Sequence, residues 1–192
     1  KNFSWSTNIN FSKNINRVES LANGVTAIIG SSLFVGKPVR SLFDYKFAGI
    51  WQLADSTMAK TYGQMPGSVR VEDTNNDGVI SNSTGKDDRV WLGTQLPNFI
   101  MGMTNRFTYK NFDMSFLLYY RNGTMFKNGF MSSYISDAGG GARLNLNYWT
   151  RNNPSNQIYG MGIPSSNFRD AIFFQDASFL RIADVTFGYT LP

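Results

Sequence analysis

The sequence predicts an all-β fold, namely an antiparallel transmembrane β-barrel segment with long extracellular loops, forming an incomplete barrel in this chain. The first observation is composition, because aromatic residues make up 15% and charged residues only 16% of the 192 residues. An average soluble domain has roughly 25% charged residues. The second observation is that apolar and polar residues alternate along stretches of about ten residues, which is typical of β-strands. The third is that these stretches are joined either by a minimal turn or by very long irregular segments.

The first predicted strand covers residues 3–14, FSWSTNINFSKN. Its odd positions include Phe3, Trp5, Ile9 and Phe11, whereas its even positions hold only Ser and Asn. A period of two with this composition indicates a strand that has one apolar face and one uncharged polar face. Trp5 is expected to face lipid.

The strongest pattern is a hairpin over residues 99–120. Apolar residues fall mostly at odd positions before Lys110 and at even positions after Asn111. A two-residue turn requires this change, because the residues that flank the turn pair directly and point to the same face. The sequence therefore predicts that Tyr109 and Phe112 are cross-strand partners.

The last predicted strand covers residues 179–191, with its apolar face assigned to the odd positions. Weaker strand patterns cover residues 25–34 and 43–53. Two long irregular segments, residues 54–97 and 121–177, are rich in Gly, Asn, Ser and Asp. Loops of that length are uncommon in compact soluble domains.

Two architectures explain long alternating strands of this kind. A transmembrane barrel has strands of about ten residues, with tight turns at one end and long loops at the other. A soluble β-sandwich also buries one face of each strand, although strands in soluble proteins usually have about five or six residues. The strand lengths favour the barrel, and a soluble, calcium-stabilised carbohydrate-binding β-sandwich is the alternative.

Several function classes have no support in the composition. The chain contains no His and no Cys, which excludes imidazole bases and thiol nucleophiles within it. We see no paired acid and base, so the chain is not predicted to be an enzyme. Its 18 Lys and Arg residues give a net charge of +5 but are scattered, whereas nucleic-acid binding usually requires a clustered basic patch.

One segment has the spacing of a metal-binding loop. Asp73, Asn75 and Asp77 precede Gly78 as in the first half of an EF-hand calcium loop. The backbone carbonyl of Val79 would supply a further oxygen. Position 12 of that loop is Thr84 instead of an acid, so Asp88 is the candidate to complete the site across a short insertion. The alternative is a turn in which the Asp and Asn side chains bond nearby backbone amides.

Trp149, in the second long segment, is the candidate for stacking on a substrate. Asp137, Arg143 and Arg169 are charged residues that would either line a pore or remain solvated. The run Gly139-Gly140-Gly141 lacks the strand-then-helix frame of a phosphate-binding loop, which makes loop flexibility the default interpretation.

Five segments occur in the order and pattern of one known family. They are GKPVRSLFDYKFAGIW (36–51), PGSVRVEDTNNDGVI (66–80), DDRVWLGTQLPNFIMGMTNRFTYKNFDMSFLLYYRNG (87–123), YWTRNNPSN (148–156) and DASFLRIADVTFGYTLP (176–192). Together they resemble the SusC/RagA type of TonB-linked outer-membrane transporters. The resemblance extends over almost the whole chain.

This resemblance implies a location and a set of partners. Residues 1–192 would form a C-terminal segment of a TonB-dependent receptor barrel in the bacterial outer membrane. Such barrels have about 22 strands, import glycans or peptides, work with a SusD-like surface lipoprotein and are powered through TonB. The plug and the region that contacts TonB would belong to a longer protein that includes this chain.

Overall fold

The structure is a computed structural model that describes residues 3–135, 144–163 and 168–192. The chain divides into two compact units. The sheet unit comprises Lys1–Ser41, Gly93–Met125 and Asp176–Pro192. The loop unit comprises Leu42–Leu92 and Phe126–Gln175.

The described residues form twelve strands and two α-helices, with a few short 3-10 turns between them. The strands are β1 Phe3–Ser12, β2 Ala27–Ile28, β3 Leu33–Phe34, β4 Ser41–Asp44, β5 Phe47–Ile50, β6 Val69–Val71, β7 Val90–Thr94, β8 Phe99–Tyr109, β9 Phe112–Asn122, β10 Met125–Lys127, β11 Phe174–Asp176 and β12 Phe179–Tyr189. The helices are α1 Ser56–Thr61 and α2 Gly129–Ile135. No helix in the described ranges is long and apolar enough to cross a membrane.

The sheet unit is built on a four-stranded antiparallel sheet in the order β1–β8–β9–β12. Strands β8, β9 and β12 each have 11 residues and β1 has 10. The sheet is open within this chain, so the segment does not close a barrel by itself. The predicted all-β fold and its three long strand regions are confirmed, within one to two residues at most ends.

The predicted hairpin is also confirmed. Tyr109 pairs with Phe112, and the register continues without interruption to the pair Phe99–Asn122. Lys110 has a φ of 54°, a left-handed conformation that a turn of only two residues requires at one of its positions.

The registers place one set of alternating residues from all four strands on the same side, because directly paired residues share a face. We call this side the apolar face. It comprises Phe3, Trp5, Thr7, Ile9 and Phe11; Met101, Met103, Asn105, Phe107 and Tyr109; Phe112, Met114, Phe116, Leu118 and Tyr120; and Leu180, Ile182, Val185, Phe187 and Tyr189. The opposite side, the polar face, carries mainly Ser, Thr, Asn, Asp, Arg and Gly.

Strand β12 corrects the sequence-based assignment of faces. Its register with β9 shifts between Ile182 and Asp184, which leaves Ala183 as an extra residue. A bulge of this kind reverses the alternation. Consequently Phe179 and Arg181, predicted on the same face as Val185, lie on the polar face.

The weaker strand patterns each resolve into two short strands. The pattern over residues 25–34 becomes β2 and β3, which pair antiparallel, and the pattern over 43–53 overlaps β4 and β5. Long continuous strands were not to be expected there, because neither segment alternates over more than a few residues.

The two long segments contain regular structure that their composition did not reveal. Residues 54–97 include α1, β6 and β7, and residues 121–177 include β10, α2 and β11. The loop unit has its own core, in which Ile50, Val69, Ile135, Tyr159 and Phe173 are buried. Its antiparallel β5–β6 pair lies at this core. Distant apolar residues thus fold the long segments into a compact body, which short-range periodicity cannot predict.

Candidate functional site

The apolar face is exposed within this chain and is dominated by aromatic rings. Trp5 is 61% exposed and Phe187 is 68% exposed. The rings of Trp5, Phe107 and Phe116 form a row across three strands, with successive centroids 6.0 Å apart. Contiguous exposed apolar surface of this extent marks a contact with a membrane or another protein.

A polar cluster interrupts the apolar face near its middle. Asn105 is only 2% exposed, and its Oδ1 accepts hydrogen bonds from the Thr7 hydroxyl at 2.7 Å and from Trp5 Nε1 at 3.2 Å. Its Nδ2 has no hydrogen-bond partner within the described ranges. The oxygen is therefore satisfied, which lowers the cost of keeping an amide on an apolar surface.

The polar face shows close packing between charged and small residues. Gly188 pairs with Asp113, and a Cβ at Gly188 would lie 2.4 Å from Asp113 Oδ1. Any larger residue at position 188 would therefore force the Asp113 carboxylate to move. On the same face, the Arg181 guanidinium lies 5.2 Å from the Tyr119 ring and 5.6 Å from the Phe179 ring. These distances are typical of cation–π contacts.

The acidic loop, residues 73–88, forms the turn that its sequence predicts. Asp73 Oδ2 accepts the Gly78 N–H at 2.9 Å, and Asn75 Oδ1 accepts the Asp77 N–H at 2.8 Å. Asp77 Oδ1 accepts the Val79 N–H at 2.9 Å. Gly78 has a φ of 83°, which allows the sharp turn.

Two carboxylate oxygens of the acidic loop differ in their surroundings. Asp73 Oδ1 is shielded from solvent and has no hydrogen-bond partner in the described part of the chain. Asp77 Oδ2 lies 4.0 Å from Lys86 Nζ. Asp73 also accepts a hydrogen bond from the Tyr62 hydroxyl at 3.2 Å.

Asp88 organises the loop through the backbone. Its side chain is fully buried, with Oδ1 accepting the N–H groups of Thr74 and Asn75 at 2.9 and 3.4 Å and Oδ2 accepting that of Ser81 at 2.9 Å. No group of three or more carboxylates among the described residues is arranged to hold a metal ion. Asp88 was predicted to complete the metal site, and the structure instead places both of its oxygens on backbone amides.

The pKa of Asp73 reflects opposing effects. Desolvation raises its pKa, but hydrogen bonds from the Gly78 amide and the Tyr62 hydroxyl outweigh this and lower the pKa below its ordinary value. Asp73 is therefore ionised at neutral pH, as a ligand of a hard cation must be.

A bidentate ion pair between Asp87 and Arg89 flanks Asp88. Arg89 Nε and a terminal guanidinium nitrogen donate to the two Asp87 oxygens at 2.9 and 2.8 Å. These hydrogen bonds lower the pKa of Asp87 and raise that of Arg89. The Arg89 guanidinium also lies 5.5 Å from the Phe43 ring, so the pair fixes the end of the acidic loop.

Trp149, predicted to stack on a substrate, is buried. It is 6% exposed, and its Nε1 donates to Gln52 Oε1 at 3.0 Å. A Cβ at Gly67 would lie 2.5 Å from the indole ring. Stacking on a sugar needs a free ring face, so the burial of Trp149 in the loop-unit core argues against that role and indicates a packing role. Of the charged candidates, Asp137 and Arg143 lie outside the described residues, as does the Gly139-Gly140-Gly141 run, and Arg169 lies over the Tyr159 ring at 5.5 Å.

Comparison with known proteins gives the class to which this fold corresponds. No family model matches the chain. TonB-dependent receptor P3 of Formosa agariphila is 27% identical over 206 aligned positions, and TonB-dependent receptor P26 of the same organism is 29% identical over 206. Both alignments cover 100% of this chain and 20% of the relative. The chain thus spans about a fifth of the length of the curated relatives it matches.

Solved structures agree on the fold. The RagAB peptide importer in its open-open state superposes with a TM-score of 0.68 at 21% identity, covering 100% of this chain and 20% of that one. A second structure of the RagAB peptide transporter has a TM-score of 0.68 at 19% identity and covers 21% of that chain. The chain is therefore homologous to TonB-dependent receptors, and it corresponds to a C-terminal portion of their β-barrel with the fold seen in RagAB.

Proposed function

We propose that this chain forms part of the wall of a TonB-dependent importer in the bacterial outer membrane, which takes up glycans or peptides. The observation that carries the proposal is the continuous apolar face across β1, β8, β9 and β12. Strands that are apolar outward and polar inward are characteristic of outer-membrane barrels. In this arrangement the apolar face meets lipid and the polar face lines the barrel interior.

The two connection types suggest which end of the strands faces outward. β8 and β9 are joined by two residues, whereas the loop-unit segments Leu42–Leu92 and Phe126–Gln175 are long. In outer-membrane barrels the short turns are periplasmic and the long loops are extracellular. We therefore place the Lys110–Asn111 turn on the periplasmic side and the long connections on the extracellular side.

The partners follow from the same proposal. A SusD-like surface lipoprotein is the expected partner on the extracellular side, since the structural relatives are RagAB complexes. TonB would act on a region of the longer protein outside this chain. The function is that of a transporter, and no enzymatic step is assigned to these residues.

Uptake measurements test the import proposal. A strain that lacks the full-length receptor would be compared with the same strain after complementation, using a casein peptide digest and a mixture of plant oligosaccharides as sole nutrients. We expect growth to be lost on at least one nutrient class, restored by the receptor, and abolished in a tonB-deficient background. Unchanged growth on both classes, or a receptor found outside the outer-membrane fraction, would refute the proposal.

We also propose that the acidic loop binds calcium. The specific observation in favour is that Asp73 Oδ1 is shielded from solvent and has no hydrogen-bond partner within the described ranges, which leaves an anionic oxygen free to bind a hard cation. Asp73, Asn75 and Asp77 would supply side-chain oxygens and Val79 its backbone carbonyl. Asp88, given its amide contacts, would hold the loop in shape rather than contact the ion directly. Bound calcium would stiffen the loop.

Calcium titration of the full-length receptor in detergent, after removal of metal with EDTA, tests this second proposal. We expect Asp77→Ala to remove one bound calcium per receptor. Asp170→Asn serves as the control, because Asp170 is an exposed acid of the same unit that pairs with Lys127. An unchanged calcium stoichiometry in Asp77→Ala would disprove the site.

A further inference from the structure

The loop unit contains a preformed cleft. Its volume is about 570 Å³, within the range of roughly 300–1,000 Å³ that is typical of small-ligand sites. Strand β5, the turn after it, Arg70 of β6 and residues 149–156 form its walls. All of these belong to the loop unit.

Hydrogen bonds between separate segments fix the walls of the cleft. Asn156 Oδ1 accepts the Ile50 N–H at 2.6 Å. Gln52 Nε2 donates to the carbonyls of Ile50 at 2.8 Å and Ser155 at 3.3 Å, while Gln52 Oε1 accepts from Trp149. Such a network holds the cleft open without a ligand, which reduces the ordering cost of binding.

Gly49 allows the Asn156 side chain to approach the backbone of β5 closely. It has a φ of 118°, and a Cβ at this position would lie 2.6 Å from Asn156 Oδ1. A larger residue would therefore displace the Asn156 side chain, which accepts the Ile50 N–H. The shape of the cleft depends on this contact.

The charge of the cleft is predominantly positive. Arg70 and Arg151 line it together with a single acid, Asp55. Asp55 Oδ2 accepts the Gln52 N–H in a capping box at 3.3 Å. Neither arginine is in an ion pair with a carboxylate in the described part of the chain. Arg70 lies 4.7 Å from the Trp51 ring centre, a contact that orients the guanidinium and leaves its charge uncompensated.

The remaining lining is apolar and includes Ala48, Leu53 and Pro154. Apolar walls around unpaired guanidinium groups suit a ligand that has a carboxylate on a partly apolar body, because guanidinium binds carboxylate in a bidentate manner. We infer that this cleft is a subsite for a carboxylate group of the imported substrate. The inference rests on the import function proposed above.

Two pairs of probes distinguish the sources of the carboxylate. N-acetylated pentaglycine with a free carboxyl end is compared with its amidated form, and trigalacturonate is compared with its methyl ester. Affinities are measured on the full-length receptor in detergent at low salt, where charge contributes most. We expect the acidic member of at least one pair to bind about tenfold more tightly than its neutral counterpart.

Substitutions then locate the preference in the cleft. Arg151 is exposed, so Arg151→Gln should fold normally and remove most of the preference, while Arg151→Lys retains part of it. Arg70→Gln is the second test. Lys60→Gln, which removes an exposed cation of the same unit outside the cleft, should leave both affinities unchanged.

The outcomes separate this inference from the import proposal. Absence of acid preference in both probe pairs, including failure of all probes to bind, overturns the inference. Equal affinities in Arg151→Gln, Arg70→Gln and wild type overturn it as well. If TonB-dependent uptake persists under either result, the import function stands without the subsite, whereas acid-selective binding without any uptake refutes only the import function.

Discussion

The residues of the acidic loop show how far local spacing determines local structure. The positions of Asp73, Asn75, Asp77 and Gly78 predicted a tight turn, and each predicted side-chain acceptor receives a nearby backbone amide. The burial of Asp88 could not be predicted in the same way. It depends on how residues 74, 81 and 88 fold together, and a sequence window of a few residues does not contain that information.

Asp88 is the residue on which the shape of the loop should depend most. Asp88→Ala would leave the amides of Thr74 and Ser81 without their acceptors, at a cost of roughly 1–3 kcal/mol for each unsatisfied group. We expect faster hydrogen–deuterium exchange across residues 74–81 in the full-length receptor. Thr84→Ala, at an exposed position of the same loop, is the control, and equal exchange in both variants would contradict this account.

The Asp87–Arg89 pair gives the acidic loop a defined response to acid. Its hydrogen bonds lower the pKa of Asp87, so their contribution to stability is complete above the ordinary aspartate pKa of about 3.9. That contribution is lost as the pH falls through the lowered folded-state pKa.

We therefore expect protection of residues 87–89 against exchange, corrected for intrinsic rates, to be constant from neutral pH to about pH 4.5 and to fall below that. In Asp87→Asn the acid-dependent step should disappear and protection at neutral pH should be lower. A step of the same size in Asp87→Asn would show that another group is responsible.

At the level of elements, strand periodicity predicted the pairing within the hairpin but missed the bulge in β12, which depends on the neighbouring strand β9. Tyr109 and Phe112 pair as the parity change at Lys110 required. The bulge at Ala183 was missed. It is visible in the sequence only because Leu180 and Ile182 occupy even positions, whereas Val185 occupies an odd position. The pairing with β9 resolves this, since all three then lie on the apolar face.

The bulge leads to a prediction for β12. Ile182→Arg would place an arginine on the apolar face, where it costs about 2–4 kcal/mol at the bilayer centre and less near its edges. Without the bulge, regular alternation from Val185 would place position 182 on the polar face instead. We expect a clear loss of the folded, heat-modifiable receptor in outer-membrane extracts.

Thr186→Arg places the same side chain on the polar face of the same strand and is the matched control, with folded receptor expected near the wild-type amount. Wild-type levels of folded receptor in Ile182→Arg would mean that the bulge does not set the face of β12.

The sequence alone could not predict sites that are built from segments far apart along the chain. Asn105 and Thr7 meet through the β1–β8 register, and Arg70 and Arg151 line one cleft only because the loop unit folds as a body. Trp149 was predicted to contact a ligand because it is an aromatic residue in a polar segment. The structure shows that this segment has a core in which the ring packs, and that Trp149 also borders the cleft.

For the whole molecule, the central claim is that the apolar face lies in the bilayer and the polar face lines the interior of a barrel. The soluble-sandwich alternative would cover the apolar face with a second sheet. The two arrangements differ in what surrounds Phe187 and its neighbours on β12, which are exposed within this chain.

Spin-label accessibility tests this claim most directly. Single cysteines at Val185, Thr186 and Phe187 would be introduced into a cysteine-free full-length receptor, labelled, and reconstituted in lipid bilayers. We predict that labels at Val185 and Phe187 collide with membrane-dissolved oxygen, and that the label at Thr186 collides with a water-soluble nickel complex instead. Labels at Val185 and Phe187 that are protected from both reagents, or reached mainly by the nickel complex, would contradict the account.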